Sequence, residues 1–475
     1  MIRGHSTTRS VFFFLVGSVL VLSLAACGGG GEEEGAQGTP SAATGTATTA
    51  SAGGPIEITM WHTEVAANLD ALQALTRRYN ESQNEVKVKL AFQGEVNEEM
   101  AKLIASLGGG QLPHLVYINE GQTQRIIDTG AVTPVQDFVD RDNYDLSDLD
   151  QRAVRYYSFK GRLWGMPFAN IIPMLFYNKA TFREVGLDPE KPPKDLEEVR
   201  QFSEKMLKRD AHGNLVRSGV AIDVNDWHLN IMVQEHGDLF VNNDNGRAGR
   251  ATEVLFNGPT GQAFYQWWHD MVDEGLALNV GRNPTYADAV LAVATGRAGM
   301  TFASSAHLRS VVDLLELGLE GGGWDLGVGN EPGVPGGTGL PGIYGRALWI
   351  IDKHPQEEQD AAWKFVKWLV EPEQQAEWYA GSGYLPVSIS AYEMPAAKEI
   401  ETKYPPFKVA ADLCRTASSS SGPLGPLLGP HLELADILIR SAEEMLVGGK
   451  DPIDALNDAA DEANSVLKEY NSRIE

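Results

Sequence analysis

Cysteine is nearly absent: the 475-residue chain holds two, Cys27 and Cys414. A small disulfide-stapled scaffold is excluded on that count. Basic residues are outnumbered, 39 lysines and arginines against 64 acidic residues, for a formal charge of −25. Nucleic-acid binding needs clustered Lys and Arg to neutralise phosphates, so no nucleic-acid partner is expected. Phosphate-binding loops are missing as well. Gly327-Val328-Gly329 lacks the spacing of a dinucleotide fingerprint, and Lys450 is followed by Asp451 where a Walker loop needs Ser or Thr. Neither a GxSxG nucleophile elbow nor an HExxH pair occurs. The run Asn242 to Gly246 has the composition of a calcium-loop fragment without the distant glutamate, and reads as a hairpin turn. No metal and no cofactor are expected. A secreted glycan hydrolase would need two carboxylates flanking the scissile bond, about 5 to 9.5 Å apart. Only Glu120 stands out as a cleft carboxylate, so no enzyme is expected.

What is present is ordinary for a soluble globular protein: 43% hydrophobic and 22% charged residues. The length suffices for more than one packed core. The N-terminus carries a processing signal. Arg3 and Arg9 precede an apolar stretch, Val11 to Leu22, too short to span a membrane comfortably and laid out as a secretory signal. Leu24-Ala25-Ala26-Cys27 resembles the bacterial lipobox. That resemblance implies a signal peptide over residues 1–26 and Cys27 as a lipid-bearing first mature residue, holding the protein outside the cytoplasm on the cell membrane. Gly28 to Gly54 is Gly, Ala, Thr and Ser with an acidic patch at Glu32 to Glu34, and cannot bury a core. It reads as a flexible tether reaching roughly 30 Å. Cys414 is then without a partner, and reads as a buried thiol rather than a nucleophile.

From Ile56 the pattern is α/β. Ile56 to Trp61 alternates and is β-branched, Val65 to Tyr79 has helical spacing, and Val86 to Phe92 alternates again. A helix with Met100, Leu103, Ile104 and Leu107 follows, then a strand at Leu115 to Ile118. Strand–helix repetition predicts parallel pairing with crossovers, one α/β lobe. Met166 to Lys179 reads as a Pro-bounded loop leading into a buried strand, Pro173 to Tyr177, where the chain crosses into a second lobe. Helices are expected at Leu196 to Leu207, Gly261 to Glu274 and Tyr286 to Thr295, with a strand at Val216 to Ile222. Gly299 to Ala303 reads as a strand returning to the first lobe. Gly321 to Gly342 reads as a surface loop. Ala347 to Ile351 is a further buried crossing. A last helix starts at Asp451-Pro452, with Asp451 as its cap. The expected partition is 55–172 plus 304–345 for lobe 1 and 173–303 plus 346–475 for lobe 2, with a ligand cleft between lobes that close about a multi-strand hinge.

Trp61-His62, Gly165-Met166-Pro167-Phe168, the run Pro173 to Lys179, Thr301 to Ser305 and Gly383-Tyr384-Leu385-Pro386-Val387 stand in an order that resembles the family 1 extracellular solute-binding proteins. These are the capture subunits of carbohydrate-class ABC importers. The resemblance runs from about Ile56 to Tyr470 and is nearest to the glycerol-3-phosphate-binding branch. It implies a two-lobe periplasmic-binding-protein-like fold, an ABC permease as partner, a small polyhydroxy ligand and a monomer. It also implies cleft roles for Glu120, Ser304, Gly345 and Tyr384. Four other ligand positions of the branch fall on Val96, Ile171, Val224 and the neighbourhood of Ala435, so its phosphate-binding arginine is missing. The nearest arginine there is Arg440. A desolvated phosphate wants a planar bidentate cation. Arg346 is the one substitute at hand, but alternation along a strand turns it away if Gly345 faces the cleft. The reading therefore moves from glycerol 3-phosphate or a glycerophosphodiester toward a neutral sugar or glycerol derivative.

Clefts for small ligands combine apolar walls with a few placed polar groups. Trp61, Phe168, Trp227 and Tyr384 are the candidates to stack on a sugar ring; His62, Glu120, Asn170 and Ser304 are the candidates to hold hydroxyls. Each has a plainer reading. Aromatic residues more often pack a core, which is the reading preferred for Trp267 and Trp268. Glu120 has a plainer reading as a helix cap, with ligand contact preferred, and His62 reads equally as a structural histidine.

Overall fold

The computed structural model describes residues 54–282, 287–316, 325–339 and 342–474. The expected signal peptide, Cys27, the tether up to Gly53 and Tyr286 lie outside the described residues. Two six-stranded sheets organise the chain. The first is built as its alternation predicts. Ile56–His62 lies between Val86–Phe92 and Leu115–Asn119, parallel to both. Its inward residues Ile58 and Met60 are fully buried, while Glu57 faces solvent. Helix Ala66–Ser82 covers the sheet with Leu72, Leu75 and Tyr79. The remaining strands are antiparallel: Tyr344–Ile351 pairs with Leu115–Asn119, Val132–Thr133 and Met166–Ile171.

The second sheet centres on Leu215–Val224, parallel to Ala277–Arg282 and Ala298–Ser304. Pro173–Asn178 continues it antiparallel to Ala298–Ser304, and Leu326–Asn330 closes its edge. The crossing at Met166 to Lys179 is thus two strands in different sheets, joined at Ile172. The fully buried Ile172 gives its N–H to Ser305 Oγ and its carbonyl to the Ser305 N–H.

The strand pairing departs from the expected lobe partition in two places. Ala298–Ser304 does not lead back to the first sheet: after helix Leu308–Glu316 the chain returns to the second sheet as Leu326–Asn330. That strand was hidden by its glycines. A Cβ on Gly327 would lie 2.2 Å from the Tyr177 ring, and one on Gly329 would lie 2.8 Å from Pro192. Glycine is there for close approach rather than for a loop. Residues 346–351 belong to the first sheet, and the helix Gln356–Leu369 packs on it through Trp363, Phe365 and Val366. The last two helices, His431–Leu446 and Pro452–Ile474, pack on the second sheet. Asp451 caps the latter as expected, its Oδ1 accepting from the N–H groups of Ile453 and Asp454 at 2.9 and 3.1 Å.

Cys414 is buried, and burial pushes its thiol up to about 12. Trp268 is fully buried and Trp267 partly so, its indole N–H donating to the Leu196 carbonyl. Asn242 to Gly246, expected as a hairpin turn, begins a longer turn between antiparallel partners. Asn243, Asp244 and Asn245 have φ of 55, 54 and 54°, one turn of left-handed backbone between the paired Val241 and Val254. No helix among the described residues is long and apolar enough to cross a membrane.

Candidate functional site

Ligands of open α/β sheets bind beyond the carboxyl ends of parallel strands. In the first lobe those ends carry Trp61, His62, Thr63 and Glu64 after one strand and Glu120 after another. In the second they carry Asp223, Asp226 and Trp227 after one strand, and Ser304 with His307 after its neighbour.

In the first lobe, Glu64 and Arg346 form a mostly buried ion pair at 2.9 Å. Arg346 Nη1 also donates to Thr63 Oγ1 at 2.7 Å, and Tyr384 OH donates to Glu64 Oε1 at 3.1 Å. The guanidinium lies 5.4 Å from the Tyr117 ring and 6.0 Å from that of Tyr384. Beneath it runs an aromatic stack: Tyr384 on Trp378 at 5.3 Å, and Trp378 on Phe168 at 5.2 Å. Two of these predicted site residues are therefore walls, not faces. Phe168 is fully buried between Tyr117 and Trp378, and the stacking surface expected of it is taken by the core. Tyr384 is 3% exposed, with its hydroxyl held by Glu64. Burial, and then the nearby Arg346 charge, lower His62 to about 4. Its Nδ1 accepts the Glu64 N–H at 3.2 Å, so its Nε2 carries the proton. Burial raises Glu99, behind this group, to about 8.

Glu120 stands at the first lobe's edge, within electrostatic reach of Asp226 on the second. Its Oε2 accepts the Gly345 N–H at 3.1 Å. Burial pushes it up to about 7 against the pull of that bond and of Arg346, and Asp226 from the opposite wall adds to the rise. Gly345 is glycine for want of room: a Cβ there would lie 2.2 Å from the Ala169 carbonyl. Glu120, Arg152, Tyr156, Asn170, Tyr344 and Gly345 line a narrow cavity of about 10 Å³, room for one water. The lobes approach closely beside it, where a Cβ on Gly121 would meet His431 at 2.3 Å. Asn170 lines the cavity, but its amide is committed to Asp150 Oδ2 at 3.1 Å and to the Pro386 carbonyl.

On the second lobe Trp227 opens helix Trp227–His236, half-buried, its ring edge-on to Tyr344 at 4.9 Å. Behind it His228 bonds Asp223 Oδ1 at 3.1 Å and faces Glu331 at 3.7 Å. Burial opposes its charge, but those two carboxylates win and raise it to about 10. Burial raises Glu235 and Glu331 as well. Ser304 Oγ lies 3.0 Å from His307 Nδ1, and burial lowers His307 to about 4.

The branch's replaced positions are apolar in place: Val224 and Ala435 are buried, and Ile171 packs against both cores. Arg440 is no substitute, since it pairs with Glu462 at 2.8 Å on an exposed face. The residues missed from the sequence are Glu64, Arg152, Tyr156, Asp223, Asp226 and His307. Glu64, Asp223 and Asp226 were within reach, since each falls at a parallel strand's carboxyl end.

One cluster among the described residues has ligating atoms within reach of a single ion: His114, His354 and Glu358. Its hydrogen bonds already account for it. His114 Nδ1 accepts the Thr59 N–H at 3.0 Å, which leaves Nε2 as the N–H facing Glu358 at 3.1 Å. His354 Nε2 donates to the Pro113 carbonyl at 2.9 Å.

Glu120 makes a pH-dependent prediction. Its native carboxyl holds a proton from its ordinary value of 4.5 up to about 7. A group whose native pKa is raised loses stability for the fold as pH rises through that window. Glu120→Gln, neutral throughout, is expected to gain in melting temperature on wild type between pH 5 and pH 8. Calorimetric scans at the two pH values check it, and an unchanged difference contradicts it.

The geometry is that of a two-lobed binder with its polar groups gathered at the lobes' facing edges. Residues 74–405 match the family model for the bacterial extracellular solute-binding proteins, and the chain belongs to that family. Among relatives, it is 27% identical over 426 residues to the sn-glycerol-3-phosphate-binding periplasmic protein UgpB of Pectobacterium atrosepticum, covering 87% of this chain and 92% of that one. Among solved structures, the fold is similar to a cyclic alpha-maltosyl-1,6-maltose binding protein from Arthrobacter globiformis, with a TM-score of 0.68, 23% identity, and coverage of 88% and 100% of the two chains. It is similar also to UgpB from Mycobacterium tuberculosis in complex with glycerophosphocholine, with a TM-score of 0.69, 20% identity, and coverage of 88% and 99%.

Proposed function

We propose that the cleft captures a neutral polyhydroxy solute, a sugar or glycerol derivative, outside the cytoplasm and delivers it to an ABC permease. One observation carries this: the cations that would hold a phosphate are already engaged. Arg346 is neutralised by Glu64, and Arg440 pairs with Glu462 on the outside. Arg152 donates to the carbonyls of Ser420, Gly422 and Pro423. Facing the cleft instead are Glu120, Asp226 and Ser304, groups suited to hydroxyls, with Trp61 and Trp227 as half-exposed aromatic surface. An anion would meet like charge there. Trp61, His62, Glu120, Trp227, Ser304 and the Gly345 backbone are the ligand contacts in this reading, with Arg346 and Tyr384 holding the wall behind them. Lipid on Cys27, a signal peptide over 1–26, a tether over 27–54 and a monomeric state complete it.

A second reading has its own observation. Tyr156, Tyr344 and Trp227 gather beside Glu120 and Asp226, a combination of aromatic faces and carboxylates that attracts an ammonium group. A zwitterionic glycerol phosphodiester would offer one, as in the glycerophosphocholine of the mycobacterial neighbour. Calorimetric titration with maltose, maltotriose, trehalose, glycerol 3-phosphate and glycerophosphocholine separates the readings. Sugar binding supports the first, glycerophosphocholine alone the second, and tight glycerol 3-phosphate binding would sink both.

A further inference from the structure

A second cavity, of about 380 Å³, lies at the lobe boundary and shares no lining residue with the Glu120 cavity. The first lobe contributes helix Thr123–Asp128 and the hairpin around Lys160; the second contributes loop 247–250. Its volume falls in the range of small-solute sites. Three cations line it, Lys160, Arg247 and Arg250, against one carboxylate, Asp128. That balance is the reverse of the chain's, whose formal charge is −25.

Asp128 is fully used. It takes Arg250 through both oxygens at 2.6 and 2.9 Å, Gln124 Nε2 at 2.8 Å and Tyr470 OH at 2.9 Å. Nothing of it is left for the other two cations. Arg247 donates to the Tyr156 and Gly425 carbonyls at 3.0 and 2.8 Å, lies 4.6 Å over the Tyr156 ring, and forms no ion pair with a carboxylate among the described residues. Its Nε is buried without a hydrogen bond. Lys160 is exposed at the cavity's edge beside Phe159, and Trp164 supplies a further aromatic wall.

The backbone that presents these cations is costly. Lys160 and Gly161 form a two-residue hairpin tip with φ of 51 and 75°. Asn or Gly suits the first of those positions; a lysine there costs about 1 kcal/mol. The turn that leads into Arg247 runs through three left-handed residues, Asn243 to Asn245. Asn245 pins that turn, its Oδ1 accepting from Phe240 and Val241 and its Nδ2 donating to the Leu424 carbonyl. Strained backbone held in place on both walls of one cavity points to a use for that cavity.

We propose that this cavity binds a small phosphate-type oxyanion, held between Lys160 of one lobe and Arg247 of the other, with Arg250 neutralising Asp128 beside it. Guanidinium groups match tetrahedral oxyanions in bidentate fashion, and a half-desolvated setting strengthens the bond. Because its partners come from both lobes, the anion favours the closed arrangement, and the cleft ligand and the anion tighten each other's binding.

The test titrates the full-length purified protein with inorganic phosphate by calorimetry, alongside Lys160→Ala, Arg250→Gln and Trp227→Ala. Saturable binding is expected in wild type. Lys160→Ala removes one charge-assisted contact from an exposed position and is expected to weaken it about tenfold. Trp227→Ala, in the cleft, leaves it unchanged. Absence of saturable phosphate binding overturns the proposal. So does binding that survives both Lys160→Ala and Arg250→Gln, or binding abolished by Trp227→Ala, which would put the anion in the cleft.

Discussion

Arg346→Ala is expected to destabilise the protein by about 3–5 kcal/mol, read as a lower midpoint in denaturant titration. The side chain is 13% exposed and its partner Glu64 only 3%. Removing the cation leaves a buried carboxylate with only Tyr384 OH and its neighbours to solvate it, and that residual charge is what makes a broken buried pair costly. The same residue change is a test of role. If Arg346 served mainly to bind a ligand anion, its loss would spare the fold and abolish binding. The wall-holding role predicts the opposite ordering, a large loss of stability at any ligand concentration. Replacing both partners with Glu64→Gln and Arg346→Met should recover most of the loss, because no unpaired charge is left behind. Failure of the double variant to recover would mean the packing of the guanidinium between Tyr117 and Tyr384 matters more than its charge.

Trp227→Ala is expected to weaken binding of the cleft ligand by about a hundredfold while leaving the melting temperature within a few degrees. Aromatic anchors carry a large share of binding energy, commonly 2 kcal/mol or more, roughly thirtyfold upward. Trp227 is half-buried, and its ring meets Tyr344 edge-on rather than filling the core, so its removal opens no large cavity. Trp227→Phe should restore most of the affinity by keeping a flat apolar face. Equal affinity in wild type and Trp227→Ala, measured by calorimetry, would remove this residue from the site.

Much of the architecture was readable from local pattern. The alternation over Ile56 to Trp61 and Val86 to Phe92, separated by a helical run, led directly to parallel pairing. The family resemblance was legible in scattered motifs, and all of them but Trp61-His62 fall within the matched region, residues 74–405. What failed did so for physical reasons. Leu326–Asn330 looked like loop because Gly327 and Gly329 carry no β signal; they are glycines because Tyr177 and Pro192 press against the strand. Ala298–Ser304 looked like a crossing because nothing in seven buried residues says which strand they pair with. Phe168 drew a cleft role from its motif, although a fully buried aromatic in a strand is core packing by default.

Arg346 shows a subtler limit. Side chains alternate across a sheet, but backbone N–H groups lie in its plane. The Gly345 N–H reaches Glu120 sideways, along the sheet, and that contact does not decide which face the next side chain takes. Arg346 goes to the end of the first strand, where Glu64 was overlooked. Long-range pairing of this kind, 282 positions apart by residue number (346 minus 64), is set by the packing of the whole lobe and leaves no local trace.

The most direct test of the account is a calorimetric titration of the ligand-stripped protein with maltotriose and, in parallel, glycerol 3-phosphate. The engaged state of Arg346 and the acidic groups facing the cleft predict saturable binding of the neutral oligosaccharide and weak or no binding of the phosphate. Tight, stoichiometric glycerol 3-phosphate binding that is lost in Trp227→Ala would contradict it, and would mean that Arg346 or Arg152 leaves its present partners to meet the ligand.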